Sequence, residues 1–196
     1  MRILVSSAVG ALFVFLWGAI SWAALDLWGD AATTISAEDE SRLVESLDAV
    51  LDGSGVAFVP QPPRHAADAS EAERMQATDA WMARHREGPI AMVVYQEEGE
   101  EPMAPSTMLT GVALDFVAAL LVSAVMVAVG GGYGRRFAAG LAMAVFAALT
   151  GHGMYWNWFA FPDDWTTAMT ADQIIAWTIG TLAMAAIVRP RPPVGA

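Results

Sequence analysis

The residues with side chains able to do chemistry inside an apolar setting are few: Asp115, His152 and Asn157. Asp115 stands alone as an ionisable group in the run Met108 to Val129, and His152 sits between two glycines in Gly151-His152-Gly153. An aspartate and a histidine at similar depth on neighbouring helices would form a proton acceptor, half of a metal site or a structural hydrogen bond. A charge in lipid costs at least about 2.5–3.5 kcal/mol on insertion scales, so Asp115 is expected to face a bundle interior. Metal binding normally needs three or more ligands at set spacing, and His65 and His85 fall in another part of the chain, so no metal site is expected. Haem held by two histidines would need a second membrane histidine, and no other cofactor signature is present. Asn157 lies in Met154-Tyr155-Trp156-Asn157-Trp158-Phe159, read as an interfacial girdle whose amide caps a helix end. A lipid- or quinone-sized groove is the rival reading of that string.

The elements holding these residues are long and apolar. Hydrophobic residues make up 56% of the 196 and charged residues 16%, against roughly 25% charged in an ordinary soluble domain. Four runs stand out: Ile3 to Leu25, Met108 to Val129, Phe137 to about Trp158, and Ile174 to Val188 lengthened back to Ala171. About 20 apolar residues cross a hydrocarbon core as a helix, and lipid leaves the backbone no partner but itself. The first run is read as a retained anchor, since it is longer than the 7–15 apolar residues typical of a cleaved leader.

Arginine placement orients the spans. Arg2, Arg135 with Arg136, and Arg189 with Arg191 all fall on one side when the helix count is four. The excess of positive charge on the cytoplasmic side places both termini there and residues 26–107 outside. Trp22, Trp28, Tyr155, Trp156, Trp158 and Trp165 would then form an aromatic belt at the outer interface, with Trp17 deeper.

Residues 26–107 carry 17 of the 21 acidic and 5 of the 10 basic side chains, a net charge of −12. That charge excludes nucleic-acid binding, which needs a basic face. Ser36 caps an amphipathic helix with Leu43, Leu47, Val50 and Leu51 on one stripe. A strand over Val56 to Val59 follows. A second helix from Ser70 to Arg86 turns Ala72, Met75 and Met82 inwards, and Pro89 to Gln96 is a second strand. Helix, strand, helix, strand suggests a two-layer unit, half of a ferredoxin-like plan. Too small to bury much apolar area, it is expected to lean on a partner or on the helices.

The expected fold class is therefore mainly α: a four-transmembrane-helix bundle with a small α/β extracytoplasmic domain inserted between helices 1 and 2. Its parts are residues 1–25, 26–107, 108–188 and a cytoplasmic tail at 189–196. With no cysteine there is no disulfide, thiolate site or cysteine nucleophile. Nucleotide-binding loops, nucleophile elbows and zinc-protease motifs are missing too.

Phe15-Leu16-Trp17-Gly18-Ala19-Ile20-Ser21-Trp22, Glu101-Pro102-Met103, Tyr133-Gly134-Arg135-Arg136 and Tyr155-Trp156-Asn157-Trp158-Phe159 resemble features of a family of bacterial inner-membrane proteins with four spans and one outer domain. That resemblance implies topology and bacterial origin and transfers no activity. The leading expectation is a non-catalytic accessory or assembly subunit of a larger inner-membrane complex, one version being an electron-transfer or photosynthetic complex. Its partners would be membrane lipids, other membrane-protein subunits and a basic soluble protein drawn to the acidic domain. A small transporter or membrane enzyme using an Asp115/His152 pocket is the alternative. A cation sensor is a third reading.

Overall fold

The computed structural model describes residues 1–188, so Arg189, Arg191 and the tail lie outside the described residues. The chain divides into two compact units, one of Met1–Thr33 with Glu101 onward and one of Thr34–Glu100. The division falls inside the expected 26–107 limits because residues 26–33 belong to the helical unit, where Trp28 packs between Trp22 and Trp165.

The first unit holds four helices long and apolar enough to cross a membrane, compatible with a multi-pass membrane protein. They are α1 (Arg2–Ala23), α4 (Pro105–Val129), the stretch Tyr133–Phe159, and α7 (Asp163–Ile187). The first packs against α4 and α7, and α5 (Tyr133–Ala148) packs against the same two from the other side. Pro105 opens α4 at a position where its missing N–H costs nothing. Asp163 and Asp164 fill the first turn of α7, at the positive end of the helix dipole. That is why α7 starts well before the expected Ala171.

Small residues make the interior. Ser6, Ser7, Gly10, Ala11 and Val14 are buried on α1; Gly140, Ala144 and Ala148 on α5; Ala176, Gly180, Thr181 and Ala185 on α7. Val122 and Met126 of α4 and Met184 and Val188 fill the gaps between them, while most leucines and phenylalanines point the other way, among them Leu12, Phe13, Leu16, Leu109, Leu114, Leu121, Phe146 and Leu182. A water-soluble bundle is built the opposite way, with large side chains inside. Lipid supplies no hydrophobic drive between helices, so close backbone approach through small residues takes its place. At Gly180 an added Cβ would stand 3.0 Å from Val14 Cγ2 and 3.3 Å from the Gly10 carbonyl oxygen.

The third span is not one continuous α-helix. After α5 the chain makes a π turn over Leu149–Gly153 and resumes as α6 (Met154–Phe159). Gly151 and Gly153 weaken the helical ladder there, and the Thr150 hydroxyl donates back to the Phe146 carbonyl at 2.8 Å. The span stops at Ala160, in the left-handed conformation at φ 54°, two residues before Pro162.

The second unit contains α2 (Ala37–Val50), β1 (Gly55–Val59), α3 (Glu71–Glu87) and β2 (Ala91–Tyr95). The expected element order holds. The strands pair with each other antiparallel, Gly55 opposite Tyr95 and Val59 opposite Ala91. A half ferredoxin-like plan would set them parallel around an intervening strand, so that expectation is corrected. The α3 face is corrected as well. Ala72 and Met75 are exposed, and the half-buried residues are Ala77, Thr78, Trp81 and Met82. The Trp81 indole N–H, donating to the Pro60 carbonyl at 3.2 Å, sets that rotation.

Both helices start as their caps dictate. Ser36 Oγ accepts from the Asp39 N–H at 3.1 Å, and Ser70 forms a reciprocal capping box with Glu73. Hydrogen bonds from the Ser70 hydroxyl, and then from its backbone N–H, hold the Glu73 carboxyl below the usual carboxylate range. A lowered folded pKa stabilises above the ordinary value, and the contribution fades as pH falls through it. Acidification is therefore expected to loosen the first turn of α3 before its last. Hydrogen exchange at the Glu73 and Arg74 amides, compared with those near Arg84, checks this.

Candidate functional site

Polar side chains gather near the end of the bundle where α1 stops and α4 and α7 start. Asp172 lies nine residues into α7, roughly 14 Å from its start at 1.5 Å per residue. Its Oδ1 accepts the Trp17 indole N–H at 2.7 Å, joining α7 to α1. Asp172 thus joins Asp115 as a carboxyl group within the helices long enough to span a membrane. The expected fourth span was read from Ile174, which left Asp172 at its margin; the signal that could have found it is the aspartate on a helix that α7's acidic first turn extends.

A half-buried carboxyl group needs a hydrogen-bond partner, and Trp17 supplies one without adding charge. Trp17→Phe is expected to destabilise the bundle by about 1–3 kcal/mol, because Asp172 is left unpaired, whereas Asp172→Asn keeps an acceptor and costs less. Pairing Trp17→Phe with Asp172→Leu should recover much of the loss. Thermal midpoints in one detergent, measured across the four proteins, read out the difference.

Asp115 and His152 are both half-buried, on α4 and on the π turn. No hydrogen bond or ion pair joins them among the described residues. Groups of three His, Cys, Asp or Glu side chains suited to a metal ion do not occur among the described residues. Asn157 is exposed on α6, and the left-handed Ala160 backbone, not an Asn157 side-chain bond, ends that helix.

The aromatic residues separate into distinct environments. Trp28 is only 6% exposed, stacked on Trp22 at 5.0 Å between ring centroids and tilted against Trp165 at 5.5 Å. It is the packed centre of a three-tryptophan cluster. The Trp156 indole donates to Asp163 Oδ1 at 2.7 Å, fastening α6 to the first turn of α7. Tyr155 packs on Phe159 and Phe161, while Trp158 is exposed.

At the other end of the bundle the two arginines part company. Arg135 is exposed. Arg136 is 8% exposed and donates from Nε and Nη2 to the Ala185 carbonyl at 3.2 and 3.0 Å, and from Nη1 to the Gly131 carbonyl. It caps the last turn of α7, a packing role that the topological reading of the arginine pair did not include. Tyr133 adds a hydroxyl bond to the Leu182 carbonyl at 3.2 Å.

Between these ends lies a hydroxyl chain. The Ser123 hydroxyl of α4 donates to Ser6 at 3.1 Å and Ser6 to the Met184 carbonyl at 3.4 Å, while Ser7 lies 3.2 Å from Ser123. Such bonds join α1, α4 and α7 and consume the polar groups they involve.

The second unit is the opposite case. None of its residues, from Thr34 to Glu100, is buried. Leu43, Val44, Val50, Val56, Val59, Ile90 and Val94 are all exposed, in a segment that carries 14 acidic and 5 basic side chains. A groove of about 420 Å³ runs between the Phe58–Gln61 and Arg84–Pro89 segments. What the arrangement offers chemically is a surface: apolar side chains among carboxylates. The chain matches no protein-family model, no curated protein and no solved structure.

Proposed function

We propose that the chain is a multi-pass protein of a bacterial inner membrane, working as a non-catalytic accessory or assembly subunit of a larger complex. In this reading both termini lie in the cytoplasm and the Thr34–Glu100 unit is displayed outside, where it docks a basic soluble partner. The bundle supplies the anchor. Its interior, rich in serine, glycine and alanine with Met126 and Met184 between them, lies under a coat of leucine and phenylalanine and suits lipid rather than water. The exposed Arg135 at the α4–α5 turn supports a cytoplasmic location for that turn.

The observation that carries the subunit role is the second unit's lack of any buried residue. A folded segment that leaves its valines and leucines in contact with solvent gains little from folding alone, and gains it once another surface covers them. Its net charge of −9 selects a partner of positive charge, and would speed their encounter at low ionic strength. An electron-transfer or photosynthetic complex, whose soluble carriers meet the membrane by such steering, is the version this chemistry favours.

The test is purification of the tagged full chain from its native membrane in mild detergent. A stoichiometric basic partner that leaves as salt is raised is the expected result. A lone monomer at every salt concentration, in the detergent that keeps the bundle folded, would overturn the subunit role.

A further inference from the structure

The docking unit's own sheet is unfinished. Among the described residues it has two strands, β1 and β2, paired with each other alone, so each strand leaves one edge without a ladder partner. Every second N–H and C=O along such an edge has no ladder partner. An isolated two-stranded sheet is marginal in water; helix packing or a third strand makes it stable, and here α2 and α3 leave no residue of the unit buried.

Natural proteins guard open edges with charged residues, proline or a bulge. Gly55-Val56-Ala57-Phe58-Val59 and Ala91-Met92-Val93-Val94-Tyr95 contain no charged residue and no proline. One face is apolar from end to end. Val56 stands opposite Val94, and Phe58 opposite Met92, with Val56 57% and Val94 73% exposed.

Three kinds of occupant could cover this face and edge: a second copy of the chain, a lipid surface, or another protein. Charge decides between them. A second copy brings its own −9 against the first, and anionic headgroups carry the same sign. A basic polypeptide is attracted. The charge is also placed. Asp48, whose carboxylate accepts from the Tyr95 hydroxyl at 2.6 Å, stands at the Gly55/Tyr95 end of the sheet, and Glu97 and Glu98 follow one residue beyond Tyr95, after Gln96. The Glu97 N–H bonds Ser54 Oγ at 3.0 Å, which keeps that end closed. At the Val59/Ala91 end Arg84 and Glu87 line the groove together, giving mixed charge.

We propose that an extended, basic segment of the partner adds to an open edge of the β1–β2 sheet as a third strand, with its basic residues over the Gly55/Tyr95 end. This rests on the reading of the acidic unit as a docking module. It goes further by naming the binding mode and the register of charge. Main-chain hydrogen bonds would supply the affinity, and alternate apolar side chains would pack beside Val56 at the β1 edge or beside Val94 at the β2 edge.

Hydrogen exchange on the full chain in zwitterionic nanodiscs tests it. The probe is a short peptide of alternating valine and threonine with lysines at one end. Two controls are the same peptide with glutamates for the lysines and one with a central proline. The lysine peptide is expected to slow exchange of amides within 55–59 or 91–95 by about tenfold, the proline peptide not at all, and the glutamate peptide not at all. Binding of the lysine peptide without protection of either strand would overturn strand addition while leaving the basic-partner reading standing. No binding even at low salt would remove both. Protection that grows with protein concentration and needs no peptide would show a second copy to be the occupant, and would also overturn the proposal.

Discussion

Gly140→Leu is expected to take the bundle apart at the corner where α4, α5 and α7 meet, with a loss of at least about 3 kcal/mol. A Cβ at Gly140 would stand 2.5 Å from Met126 Cε, 2.7 Å from Thr181 Cγ2 and 3.0 Å from Thr181 Cβ. The methionine methyl is the end of a flexible chain and can swing away. Thr181 cannot, because a β-branched side chain has little χ1 freedom in a helix and its Cβ moves only with the backbone. Even Gly140→Ala should therefore cost about 1–3 kcal/mol, although alanine is the better helix former. Thr181→Ala in the Gly140→Ala background should return part of that cost, whereas Thr181→Ala alone should not stabilise. Gly18 supplies the contrast, since nothing lies within 4 Å of its built Cβ. There alanine should be neutral or stabilising by up to about 1 kcal/mol. Thermal midpoints in one detergent, with membrane abundance as a second readout, separate these outcomes.

Removing the Arg136 guanidinium should be the second large loss, on the order of 2–4 kcal/mol for Arg136→Gln. Three of its nitrogens each bond a carbonyl, two of them at the negative end of the α7 dipole. Lysine carries the charge but not the planar fork that reaches Ala185 and Gly131 together, so Arg136→Lys should recover less than half of the loss. Arg135→Gln, one position away and exposed, should change stability by no more than about 0.5 kcal/mol. Two adjacent arginines that look alike by charge would thus differ strongly in effect, and the same melting measurement compares them.

The spans were legible in the sequence because unbroken apolar runs of that length have one solution in lipid, and because capping residues such as Ser36 and Ser70 announce helix starts. What stayed hidden depends on contacts between elements. Glycine, alanine and serine on α1, α5 and α7 count as weakly apolar in any window, and only the packing shows that they form the interior while leucine and phenylalanine face out. Arg135 and Arg136 differ by the 100° of one helical step, a difference charge counting does not register. The strands over Val56 and Val93 could be recognised from their residue types, but their antiparallel pairing across α3 is a matter of tertiary geometry. Among the site residues, Asp115 and His152 were noticed for their chemistry, while Trp17 and Asp172, which do meet, were a tryptophan assigned to depth and an aspartate at a span's margin.

Four crossings that set the acidic unit and the α4–α5 turn on opposite faces of the membrane are the claim on which the rest stands. The chain has no cysteine, so Ser46→Cys on α2 and Gly132→Cys in that turn each create a single thiol at an exposed position. A membrane-impermeant maleimide applied to intact spheroplasts should label the first and reach the second only after lysis. Equal labelling of both from the outside, or of neither until lysis, would contradict the account.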